Sequence, residues 1–137
     1  MKFYLKERID FYLYDTFDPP PKSEAFPKHS DKLYDEVTKR FEGLSNIKII
    51  KGELPESLIN NHPDKISFAH IDLNNAEAEM GVLKFIYEKV VEGGIILFDD
   101  YGWISYKEQM LKEKKFLEDK GHKILELPTG QGLLIKR

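Results

Sequence analysis

The sequence predicts an α/β fold: a mainly parallel sheet with helices on both faces and an antiparallel hairpin at its C-terminal end. Three observations predict it. Short apolar runs alternate with segments of helical periodicity, the pattern of strands joined by helical crossovers. Several of those runs end in aspartate: LYD at Asp15, HID at Asp72, and FDD at Asp99 and Asp100. The last two runs, HKILEL (122–127) and GLLIK (132–136), are separated by the turn-forming stretch PTGQG, which suits a hairpin.

The elements follow in order. IDFYLYD (9–15) is aromatic-rich and reads as a buried strand. TFDPPPKSEAFP (16–27) is a loop, because successive prolines forbid helix. Ser30 or Asp31 can cap a helix running to about Glu42, with Leu33, Val37, Phe41 and Leu44 on its inner face and Gly43 as its stop. IKIIK (47–51) is a short strand; GELPESLINNHPDK is a loop with one helical turn; ISFAHID (66–72) is the next strand. Asn74 can cap the following helix, with Glu77 three residues on, as in a capping box. Met80, Leu83, Ile86 or Tyr87, and Val90 keep helical spacing. Gly93 and Gly94 end that helical region and open the strand GIILFD. Ser105 and Glu108 form a second capping-box pattern, for a helix running to about Lys120 and stopping at Gly121.

Composition narrows the function classes. A chain of 137 residues without internal repeat or linker is expected to be one domain, 1–137. The net charge of −3, with acids and bases interspersed, lacks the clustered basic face of a nucleic-acid binder. The absence of cysteine excludes disulfides and thiolate metal sites and fits a reducing compartment. No apolar run approaches the ~20 residues of a membrane span, and MKFYLKERIDFYLYD is too charged for a signal peptide. A cytoplasmic protein is expected, with neither nucleic acid nor membrane as partner.

The aspartates suggest the chemistry. In an open parallel sheet, ligands bind beyond the carboxyl ends of the strands. Parallel strands point the same way, so strand-end carboxylates gather along one edge. Crowded carboxylates raise one another's pKa unless a cation sits between them, and a hard divalent ion with oxygen ligands, Mg²⁺ or Ca²⁺, resolves the conflict. Asp72, Asp99 and Asp100 are the natural trio if their two strands are neighbours. Against this, an aspartate after a strand is also an ordinary helix cap or turn former.

The stretch FAHIDLNNAEAEMGVLKFIYEKVVEGGIILFDDYGW resembles the macrocin O-methyltransferase (TylF-like) family of class I methyltransferases, which use S-adenosylmethionine. The family pattern is an aspartate-ended strand in H-I-D-x-D/N, a helix, then P-G-G-x-x-x-x-D-D-Y. YDTFD (14–18), KGELPESL and the tail LPTGQGLLIK are similar to further family segments. The resemblance implies a truncated Rossmann-like fold beginning near the family's strand two. It implies that Asp15 accepts hydrogen bonds from the S-adenosylmethionine ribose hydroxyls. By the same resemblance Glu53 would approach the adenine region. Asp72, Asp99 and Asp100 would hold Mg²⁺, and Asp72 would also serve as catalytic base toward a sugar or small-molecule hydroxyl. His70 shares the strand face of Asp72 and reads first as a satisfied sheet histidine. Tyr101 and Trp103 either line the acceptor pocket or pack the loop. Asn74 replaces the family's second carboxylate.

One family feature has no counterpart. The first glycine is Gly43, so no glycine-rich loop precedes Asp15. In the family's sheet, strand one lies between strands two and four; without it, direct pairing of those two strands or dimerisation is expected. Two functions compete: a Mg²⁺-assisted O-methyltransferase, in minimal form or as a piece of a longer product, and a catalytically inactive binding or assembly module. A phosphoacceptor receiver fits poorly, since its acidic pair belongs after strand one.

Overall fold

The computed structural model describes residues 9–17 and 32–137. The predicted helix caps Ser30 and Asp31 and most of the proline loop lie outside them. The chain divides into two compact units, Met1–His62 and Pro63–Arg137.

In the first unit, β1 (Phe11–Asp15) and β2 (Ile47–Lys51) pair in parallel, from Phe11 opposite Ile47 to Asp15 opposite Lys51. A parallel pair needs a crossover, and α1 (Leu33–Arg40) lies in the chain between them. Leu33, Val37 and Phe41 are half-buried, but Leu44 is exposed. Gly43 adopts φ +83° just past the helix, as a glycine stop should. Phe17 is buried edge-on against the Tyr34 ring, with centroids 5.1 Å apart. The one predicted helical turn is the 3₁₀ turn Glu56–Leu58, anchored by buried Leu58.

The second unit holds β3 (Ile66–Ile71), α2 (Ala76–Tyr87), β4 (Val90–Phe98), α3 (Lys107–Glu118), β5 (Leu125–Glu126) and β6 (Gly132–Ile135). Its four strands lie in the order β3-β4-β6-β5. β3 and β4 are parallel neighbours across the single α2 crossover, and β5 and β6 form the predicted hairpin. β6 then pairs antiparallel with β4, placing Ile96 opposite Leu134 and Phe98 opposite Gly132.

Two expectations are corrected here. The sheet is not mainly parallel: the pairs β1–β2 and β3–β4 are parallel, whereas β4–β6 and β5–β6 are antiparallel. The cause is the hairpin, whose second strand docks on β4 instead of extending a parallel series. Direct pairing of the family's strands two and four is also absent among the described residues, since β1 and β2 form a two-stranded sheet of their own.

Helix caps shift by a residue or two. The α2 cap is Asn75, not Asn74; its Oδ1 accepts from Glu77 N–H at 3.1 Å and Ala78 N–H at 3.0 Å. The Ser105–Glu108 box does not form, because Ile104–Tyr106 is a 3₁₀ turn that leads straight into α3. β4 begins at Val90, inside the predicted helix. It carries Gly93 at φ +78°, and the β3–β4 register shifts there as at a bulge.

The core of this unit follows the period-two rule. Ile71, Ile96, Phe98 and Leu134 are buried on one sheet face, together with Met80, Leu83 and Ile86 of α2 and Leu117 of α3. α2 and α3 pack on each other. On the opposite face Phe68, Leu125 and Ile135 are 58%, 60% and 51% exposed. The second unit is therefore a one-sided sandwich, and its helices do not cover both faces.

Leu83 and Leu117 are fully buried. Leu83→Ala or Leu117→Ala should each lower unfolding free energy by about 2–5 kcal/mol. Leu111→Ala, at an exposed position of the same helix as Leu117, should change it by no more than about 0.5 kcal/mol. Urea titration followed by circular dichroism checks the contrast.

Candidate metal centre and its supports

The parallel pairing of β3 with β4 ends at Ile71 opposite Phe98, and Asp99 N–H donates to Ile71 O at 3.0 Å. The next residues on both strands are acidic. Asp72, Asp99 and Asp100 each offer a carboxylate oxygen within 4.8 Å of the others, with Asp72 exposed and the other two half-buried. The structure thus brings together the trio picked out in the sequence.

The two adjacent aspartates have different environments. Asp99 Oδ1 accepts from Gln131 Nε2 at 2.7 Å and lies 3.2 Å from His70 Nε2. The Gln131 hydrogen bond, followed by that of His70, holds the Asp99 carboxyl below the usual carboxylate range. Asp100 moves the other way. Burial raises its pKa first, and repulsion from Asp72, Asp99 and Glu79 adds to it. The group with most to gain from a nearby cation is therefore Asp100.

Asp72 is set by its turn. Its Oδ1 accepts from Asn74 Nδ2 at 3.2 Å, and Asn74 sits at φ +52°, a left-handed conformation that asparagine tolerates better than most residues. Leu73 N–H donates to Glu79 Oε1 at 3.0 Å, tying the turn to the first turns of α2.

The stretch after the aspartates is seated on the hairpin. The Tyr101 ring lies over Gly132, where an added Cβ would fall 2.6 Å from Tyr101 Cγ. Gly102 N–H donates to Gly130 O at 2.7 Å. Trp103 stacks against Gly130, whose added Cβ would come within 2.9 Å of the indole nitrogen. The glycines of PTGQG thus give the aromatic residues of DDYGW room to dock. Tyr101 is buried and packs the loop, whereas Trp103 is 60% exposed.

Asp15 and Glu53 belong to the first unit. Asp15 makes the last β1–β2 pair, Gly52 N–H donates to its carbonyl at 3.0 Å, and Glu53 follows, exposed, at the same carboxyl end. Asp15 Oδ1 accepts from Phe17 N–H at 2.6 Å, which fixes the carboxylate at the strand tip.

Two residues near the centre were missed in the sequence. Gln131 reads as turn filler, but once Gly132 pairs with Phe98 the residue before Gly132 must face the one after Phe98, which is Asp99. Glu79 reads as an ordinary charged helix residue, yet it is 1% exposed.

The fold is methyltransferase-like α/β, by the solved structures with which it aligns. The O-methyltransferase NovP aligns over 93% of this chain with a TM-score of 0.70 at 16% identity. CalS11, the calicheamicin methyltransferase, aligns over 92% with a TM-score of 0.69 at 18% identity. The S-adenosylhomocysteine-bound methyltransferase PaMTH1 of Podospora anserina aligns over 92% with a TM-score of 0.60 at 17% identity. The chain belongs to the macrocin-O-methyltransferase (TylF) family, whose model matches residues 4–124. It spans 60%, 60% and 59% of the three solved chains. No curated protein is similar enough to this chain to count as a match.

The opposed environments of the aspartates give a titration order. Carboxyl carbon NMR should show Asp99 ionising at lower pH than Asp100. Because the folded pKa of Asp99 is depressed, its contribution to stability is present above the unfolded value and is lost as pH falls through the folded one. Gln131→Leu should raise the Asp99 midpoint; an unchanged midpoint would remove Gln131 from the site.

Proposed function

We propose that this chain is the metal- and cofactor-binding part of an O-methyltransferase that transfers the methyl group of S-adenosylmethionine to a hydroxyl of a sugar or other small molecule, assisted by Mg²⁺. The observation that carries the proposal is the convergence of Asp72, Asp99 and Asp100 at one strand edge, in a chain of the TylF family.

The donor set fits a hard divalent ion. All three groups offer carboxylate oxygens, the preferred ligands of Mg²⁺, and the raised pKa of Asp100 records repulsion that such an ion relieves. Asp99 and Asp100, on one strand end, and Asp72, on its neighbour, would hold it. Gln131 would keep the ligating Asp99 ionised and oriented, as partners behind metal ligands commonly do. A cation held there supplies Lewis acidity that lowers the pKa of an acceptor hydroxyl.

Asp72 is the exposed member of the trio, and so the one placed to take the proton of an incoming hydroxyl as general base. Asp15, at the tip of β1, suits the vicinal diol of a ribose, since a carboxylate accepts from both hydroxyls at once. Its hydrogen bond from Phe17 N–H holds the carboxylate at the strand tip for that task. Glu53, just beyond the adjacent strand β2, would approach the adenine region. S-adenosylmethionine supplies the electrophilic methyl. The choice of a sugar-like acceptor is supported by the names of the similar structures, NovP and the calicheamicin methyltransferase CalS11.

The test is calorimetric titration of S-adenosylhomocysteine and, separately, Mg²⁺ into the purified chain. Micromolar binding of the nucleoside and saturable uptake of Mg²⁺ are expected. Asp99→Asn combined with Asp100→Asn should abolish Mg²⁺ uptake and leave the fold intact. Mg²⁺ uptake without any nucleoside binding would sink the transfer reading for this chain and leave a metal-binding module without catalysis.

A further inference from the structure

α2 and α3 bury three polar side chains against each other. Glu79, Gln109 and Glu113 are 1%, 3% and 0% exposed. Gln109 and Glu113 are four residues apart, so they share a face of α3. The packing of α2 on α3 brings the Glu79 carboxyl near enough to Glu113 to raise its pKa. Taken as two carboxylates this arrangement is untenable. Glu79 Oε2, Gln109 Oε1 and both Glu113 oxygens are buried without a donor, and two buried like charges side by side destabilise each other.

A single proton relieves the repulsion between Glu79 and Glu113. Placed on Glu113, it turns an acceptor–acceptor contact into an O–H···O bond and leaves one charge instead of two. Burial, reinforced by Glu79, pushes the Glu113 carboxyl well above the usual range, in agreement with that placement. The other oxygen of Glu79 is already engaged, accepting from Leu73 N–H at 3.0 Å. Leu73 adjoins Asp72. The chain of contacts therefore runs from α3 through Glu113 and Glu79 to the turn that carries Asp72.

We propose that Glu79 and Glu113 form a proton-sharing carboxyl pair that acts as a buried clamp, with Glu79 the positioning residue that fixes the Asp72 turn through Leu73 N–H. Its consequence for the metal rests on the reading given under Proposed function; the clamp itself does not. The pair touches neither a ligand nor reacting atoms, and acts only through the backbone of the turn. A proton is favoured over a buried metal ion as the occupant because two carboxyl groups in contact need only one proton to satisfy each other, with no coordination shell to complete.

The test uses three measurements on the whole chain. Infrared difference spectroscopy at neutral pH should show the carbonyl band of a protonated, buried carboxyl group, shifted in D₂O and absent from Glu113→Gln. Amide hydrogen exchange at Leu73 should quicken at least about tenfold in Glu79→Ala, but not in Glu79→Gln, whose amide oxygen still accepts from Leu73. Ile96 exchange, in the middle of β4, controls for loss of fold. Mg²⁺ affinity should fall about 10–100-fold in Glu79→Ala and recover in Glu79→Gln.

No such band in the wild type, or equal Leu73 exchange in all three proteins, overturns the clamp. If Glu79→Ala does not fold, the infrared band still decides the pair: present in the wild type and absent from Glu113→Gln upholds it, and absent from the wild type overturns it. A wild type that shows the band and Leu73 protection but takes up no Mg²⁺ would sink the metal reading while upholding the clamp.

Discussion

The parallel ladder between β3 and β4 is the constraint on which the rest of the second unit depends. It sets two strand ends side by side, Ile71 against Phe98, so the residues just beyond each strand are forced into one place. Those residues are Asp72 on one strand and Asp99–Asp100 on the other. The ladder is held by the core beneath it, where Ile71, Ile96 and Phe98 are buried with Leu83 and Leu117. Hydrophobic burial on one sheet face thus provides the free energy that keeps three like charges within 4.8 Å of one another. No local preference of the acidic residues would bring them together.

The supports of the trio come from three directions in the chain. The hairpin supplies Gln131 to Asp99, β3 supplies His70, and α2 supplies Glu79 to the turn after Asp72. The hairpin has a second task, since its glycines accept Tyr101 and Trp103. The short β5–β6 ribbon is therefore part of the site as well as the end of the sheet. The same ribbon makes the sheet mixed, so the departure from an all-parallel arrangement and the support of Asp99 have one origin.

Much of this was legible in the sequence, and the reasons differ by element. The strands around 47–51 and 66–71 and the helix over 76–87 declare themselves through apolar period, and the aspartate trio emerges once two strands are taken as neighbours. The hairpin was legible from PTGQG. Its docking on β4 was not, because strand order depends on which faces remain to be buried and not on local pattern. The capping patterns at Asn74 and Ser105 misled by one or two residues, since Asn74–Asn75 offers two equivalent caps and the chain after Trp103 first closes a 3₁₀ turn. Glu79 and Glu113 were invisible for a plain reason. A glutamate on a helix is nearly always solvated, and only the packing of α2 on α3 shows that these two are not.

The chain has one tryptophan, Trp103. It stands just beyond the acidic strand end, partly open to water and resting on Gly130 of the hairpin. Every photon of indole emission from this protein therefore originates at a single place, the junction between the strand that carries Asp99 and Asp100 and the ribbon that carries Gln131. Any event that draws those two segments together or parts them changes the polarity around that ring. The protein carries its own optical gauge of the acidic edge, with no label to attach and no second fluorophore of the same kind to subtract.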